Sequence, residues 1–188
     1  MRRQREIFIA LVSVMVGVLA SPTPVAAQAP EVFEGTIVSV AAGAGGLSSI
    51  RLRIDEYTTD AEAQEFLGIL KNQGWEALET AFVNEDKGLI TGRNQRGGDI
   101  AFARSFTHET GRVIRVATAR PLALFETYRN TSSREHAFGF IELRLDKEGK
   151  GSGIVVGAAR LEFNDEGALE MESYGNTPLS ITEISLRK

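Results

Sequence analysis

An arginine at position 104 stands in a strand-like stretch, residues 100–106 (IAFARSF), whose alternate positions are otherwise apolar. A guanidinium stays charged at every physiological pH, so on an apolar face it needs a carboxylate or an anionic ligand beside it. Two roles fit. Either Arg104 grips the head group of an amphiphile inside a barrel, or it pairs with an acidic neighbour such as Glu142, which shares a strand face with Phe138 and Phe140. Arg104 and Glu142 are therefore the candidate ligand-binding residues.

Other stretches that suggest chemistry lack the spacing it needs. Residues 146–151 (DKEGKG) open like a calcium loop, but Lys150 and Gly157 occupy the fifth and twelfth positions, where such a loop needs oxygen donors. The glycines of 43–46 (GAGG) are followed by Ser48 and a strand pattern, not by the third glycine and helix of a dinucleotide site. The two histidines, His108 and His136, have no spacing that would join them with a carboxylate around a metal. Residues 149–153 (GKGSG) lie in a hairpin and lack the serine placement of a nucleophile elbow. The acid pairs Asp165/Glu166 and Glu170/Glu172 sit in or beside turns, where exposure leaves them ordinary acids. Asn130-Thr131-Ser132 fits a glycosylation sequon, whose use depends on the host. No catalytic residue, metal or cofactor is expected.

The elements that position these residues are mostly strands. Val32–Val40 and Ser49–Tyr57 form a first hairpin, the second strand alternating Ile50, Leu52, Ile54 against Arg51, Arg53, Asp55. A helical segment follows over 59–83: Thr59 and Glu62 have capping-box spacing, and Ala63, Phe66, Leu67 and Leu70 make one apolar stripe. Gly74 breaks it, and Trp75, Leu78 and Phe82 resume the helical period. From Lys87 onward only short alternating runs remain, predicted as strands at 88–93, 99–107, 112–119, 122–128, 136–146, 150–158, 159–164, 168–173 and 179–186.

Three of the intervening turns share one grammar, polar residues closed by a glycine, at Gly111, Gly149 and Gly167. A three-residue hairpin loop asks for this pattern, its last residue having positive φ. Such a loop pairs Phe106 with Ile114 and Arg104 with Val116, which puts Ile100, Phe102, Phe106, Ile114, Val116 and Arg104 on one face. The same rule pairs Phe163 with Leu169 and Leu161 with Met171. Around Gly149 both strand faces are apolar, Ile141, Leu143 and Leu145 on one and Phe138, Phe140, Ile154 and Val156 on the other, so this pair lies centrally. The fold class that follows is α+β, mostly β. It is an antiparallel β-barrel or strongly curved sheet with one helix–turn–helix packed on it.

Composition narrows the setting. Arg2, Arg3 and Arg5 precede an uncharged run, Ile7–Ala20, and then Val25-Ala26-Ala27, the three-part pattern of a secretory signal peptide cut after Ala27. The apolar run is shorter than the ~20 residues that span a bilayer, so no integral span is expected after cleavage. One β-rich domain is expected over 28–188. There is no cysteine, which excludes disulfides, thiolate metal sites, thiol catalysis and a lipid-modified cysteine. The net charge is −4, a poor basis for nucleic-acid binding. Residues 28–86 and 135–188 are acidic and 87–134 basic, a pattern that neighbouring strands satisfy by exchanging ion pairs.

Three stretches carry a resemblance: 105–121 (SFTHETGRVIRVATARP), 138–153 (FGFIELRLDKEGKGSG) and 161–184 (LEFNDEGALEMESYGNTPLSITEI). With the leader and the helix after "RIDEYTTDAE", they resemble a family of small exported β-rich bacterial proteins with no assigned activity. The resemblance implies export and a domain starting after the leader, and it assigns no site. The expected function is an exported, non-catalytic binding domain, periplasmic or extracellular, holding a small amphiphilic or anionic ligand in its barrel. The alternative is an interaction or structural module whose partner is an envelope protein.

Overall fold

The computed structural model describes residues 29–39, 46–92, 95–122, 136–164, 167–173 and 178–187. In chain order they form β1 (Glu31–Ser39), β2 (Gly46–Ile54), α1 (Asp60–Gln73), α2 (Trp75–Phe82), β3 (Gly88–Gly92) and β4 (Gln95–His108). β5 (Gly111–Thr118), β6 (Phe138–Asp146), β7 (Lys150–Phe163), β8 (Leu169–Ser173) and β9 (Leu179–Arg187) complete the order. The leader expected over 1–27 and most of the strand expected at 122–128 lie outside the described residues.

Eight antiparallel strands close into a barrel in the order β1-β2-β3-β4-β5-β6-β7-β9, with β9 returning to β1. The predicted class, mostly β with helices against a barrel, is the one the chain adopts. Alternation builds the inner wall. Ile50, Leu52 and Ile54 of β2 turn inward at no more than 2% exposure, while Arg51 and Arg53 between them are exposed. Phe33, Ile90, Ile100, Ile114, Ile141, Leu143, Val155 and Ile181 join them in one cluster.

β7 is a single strand where two are expected, at 150–158 and 159–164. Residues Lys150–Val155 pair with β9, and Ala159–Phe163 pair instead with β8. The second half thus leaves the barrel as a two-stranded ribbon. Its register is the predicted one, Phe163 opposite Leu169 and Leu161 opposite Met171.

The helices pack on the outside. Thr59 caps α1: its hydroxyl accepts from the Glu62 amide at 3.3 Å, and its own amide donates to the Glu62 carboxylate at 2.7 Å. Gly74, at φ +87°, separates α1 from α2. Phe66, Leu70, Leu78 and Phe82 then meet Ala101, Ala117, Phe138 and Leu161 in a second apolar cluster. The Phe82 ring lies 5.0 Å from Phe66 and 5.7 Å from Phe138, both edge-on, contacts that add about 0.5–1.5 kcal/mol each beyond area burial.

One expected register is wrong. In the β4–β5 hairpin His108 faces Gly111, Phe106 faces Val113 and Ser105 faces Ile114, so the loop is one residue shorter than predicted. Gly149 and Gly111 show why. Gly149 supplies the positive φ (+79°) that closes the β6–β7 loop. Gly111 is a strand residue, and a Cβ there would lie 1.9 Å from the Leu145 carbonyl oxygen of β6. Its φ is positive too (+154°), but it belongs to the strand and not to the loop, so glycine here permits close approach between strands. A one-residue slip reverses faces: Phe102 packs with the helices, and Ile114 lies inside the barrel.

Candidate functional site

The shifted register turns Arg104 outward, contrary to the expected place in a barrel wall lining. On the outer face it stands opposite Arg115 of β5, and Arg115 stands opposite Glu142 of β6. Both candidate residues are thus on one face, but they do not touch through an ion pair. Arg104 donates to Asp60, the first residue of α1, at 2.6 Å. Phe106 lies between the two arginines, its ring centre 5.8 Å from the Arg104 guanidinium and 5.3 Å from that of Arg115. Each such contact is worth about 0.5–1 kcal/mol at an exposed site.

Glu142 is the buried member of this face, its side chain 4% exposed. Arg115 donates to one carboxylate oxygen at 3.0 Å and Arg144 to the other at 2.9 Å. A carboxylate this buried persists only because both oxygens are paired. Beside it, Arg115, Phe140, Ile154, Val156 and Met171 line a shallow depression with room for about one water molecule.

Among the described residues Arg112 is an arginine that does face inward. It donates through both terminal nitrogens to Glu31, at 3.0 and 2.7 Å, and its guanidinium lies 5.4 Å from the centre of the Phe33 ring. The Tyr57 hydroxyl donates to the same carboxylate at 2.6 Å. Burial first, and then the bond to Glu31, push the Tyr57 phenol above its ordinary range. This trio fills one end of the barrel core beside Phe33. It escaped the sequence analysis although a signal exists: Arg112 lies two residues from Ile114 and four from Val116, on the same strand face by parity.

A third polar group fastens α1 to the barrel. The Lys87 ammonium, 6% exposed, reaches Glu62 at 2.7 Å, Glu56 at 3.4 Å and Glu85 at 3.8 Å. Burial alone would raise the Glu62 carboxyl, but hydrogen bonds from Lys87 and Thr59 outweigh it and hold it at about 2. Burial likewise works against the Lys87 charge, and its glutamate partners reverse that, keeping its pKa above the usual lysine range. The basic segment 87–134 thus answers the acidic one before it, through Lys87–Glu62, Arg104–Asp60 and Arg112–Glu31.

These polar groups are matched to one another. Among the described residues no three His, Asp or Glu side chains gather as a metal-binding group. No protein-family model, curated protein or solved structure matches this chain.

Proposed function

We propose that this protein is an exported, non-catalytic interaction module whose barrel is a filled scaffold and whose partner is met on its outer surface. The observation that carries the reading is the interior. Phe33, Ile90, Ile100, Ile114, Leu143 and Val155 are all 0% exposed; an eight-stranded barrel is either filled by its own side chains or holds one small ligand, and this packing fits the first. An amphiphile would have to displace that packing, at roughly 1.5–3 kcal/mol for each large side chain driven back into water. Arg104, facing outward and paired with Asp60, offers no charge to an interior head group. The basic, apolar and small-residue sequence of positions 1–27 supports export.

Native mass spectrometry of the chain recovered from the exported fraction of its own host tests the reading. The expected species begins at Gln28 and carries no lipid. A one-to-one amphiphile retained through purification overturns it in favour of a carrier.

A further inference from the structure

The closed barrel has no free strand edge, but β8 pairs with β7 alone among the described strands. The Asn164 amide donates to the Ala168 carbonyl at 2.9 Å, which sets the phase of the ribbon ladder. Bonded and open pairs alternate along antiparallel strands, so Glu162–Glu170 and Arg160–Glu172 are the bonded pairs. The N–H and C=O groups of Leu169 and Met171 therefore point away from β7, toward the outer edge.

The two faces beside that edge differ in chemistry. On one, Leu161, Phe163, Leu169 and Met171 continue the apolar cluster that includes the helices. On the other, Glu162 stands directly opposite Glu170, with Arg160 opposite Glu172. Arg160 is paired with Glu162 and the Asn164 amide group donates to Glu170 at 2.8 Å, while Glu172 is exposed. Three carboxylates against one guanidinium leave this face negative, and like charges placed directly opposite repel.

We propose that β8 is the docking edge of this interaction module, and that it accepts an extended segment of a partner protein alternating basic with apolar residues. The backbone of such a segment completes the ladder at Leu169 and Met171, the geometry of strand addition. Its Lys or Arg side chains lie beside Glu170 and Glu172, and its apolar ones beside Leu169 and Met171. A second copy of the chain does not fit. Antiparallel pairing of two β8 strands about Met171 sets Glu170 opposite Glu172 of the copy twice over, a common protection against self-pairing.

This inference rests on the reading of the protein as a surface-binding module, and its test is separate. The probe is a short capped peptide of alternating lysine and valine, with a glutamate–valine peptide as control, added to the exported chain and followed by amide hydrogen exchange and NMR. The lysine peptide is expected to slow exchange at Leu169 and Met171, and the control to leave them unchanged. Raising the salt concentration weakens the effect. Met171→Pro, which removes one outward N–H, weakens binding about tenfold. Glu170→Lys with Glu172→Lys inverts the preference, so that the glutamate peptide binds, which distinguishes a lost edge from a lost fold. No protection by the lysine peptide, equal binding of both peptides, or concentration-dependent dimers through β8 overturns the proposal. Those outcomes leave the bare mass of the filled barrel as it was, whereas a retained amphiphile leaves the peptide measurements intact.

Discussion

The barrel and the β7–β8 ribbon are made from one continuous strand, yet they solve opposite problems. Within the barrel, Ile141 and Val155 stand opposite each other on the inner wall with 1% and 0% exposure, and every strand has two neighbours. In the ribbon, β8 has one neighbour among the described strands, none of its residues is fully buried, and one face carries glutamates. The barrel spends its backbone hydrogen bonds on itself, while the ribbon keeps a row of them turned outward. Closed and open-edged pairing therefore part along β7, near Ala159, where pairing with β6 ends and pairing with β8 begins.

The strongest challenge to this division is a matched pair of truncations. Phe33→Ala, at a fully buried inner position, is expected to cost about 3–5 kcal/mol in urea unfolding. Phe163→Ala in the half-buried ribbon is expected to cost under about 2 kcal/mol, since less of its area leaves water. Equal losses would mean that the ribbon is part of the same cooperative core. Next in size, Arg112→Met strands Glu31 inside the barrel end and is expected to cost about 2 kcal/mol, less than a fully buried pair because both partners retain some exposure; urea titration checks it.

Acid sharpens the picture further. The Glu62 pKa is about 2 in the folded protein against 4.5 ordinarily. A depressed carboxylate pKa gives stability that is complete above about 4.5 and is lost as pH falls through about 2. With its side chain 31% exposed, the loss is expected to be about 1–2 kcal/mol after solvent screening. Lys87→Met should flatten this part of the pH–stability curve. Smallest of all, Arg104→Ala releases a pair whose Asp60 partner is 87% exposed, so a change below about 1 kcal/mol is expected in the same unfolding assay. A larger loss would place Arg104 among the residues that hold α1 to the barrel.

Where local chemistry and global packing ask for the same residue, the sequence is legible. The alternation of Ile50-Arg51-Leu52-Arg53-Ile54 can serve only a strand buried on one side. Thr59 and Glu62 mark the start of α1, and Gly167, at positive φ (+77°), marks the β7–β8 register, because each signal has a single physical use. Gly111 has two. A glycine after polar residues suits both a turn needing positive φ and a strand pressed against a neighbouring carbonyl, and only the position of β6 decides between them. The misread register carried Arg104 to the wrong side, and with it the idea of an interior anion site. Parity places Arg112 on the inner face, but its partners Glu31 and Tyr57 are distant in sequence and meet it only once the barrel closes.

The hand-over of β7 from β9 to β8 also has a mechanical meaning. Tension applied along β7 from its Phe163 end would load the ladders to β6 and β9 in shear, many rungs at once. Tension applied across β8 would peel a short ladder rung by rung. A tether gripping the ribbon sideways would thus let go long before the drum behind it deformed.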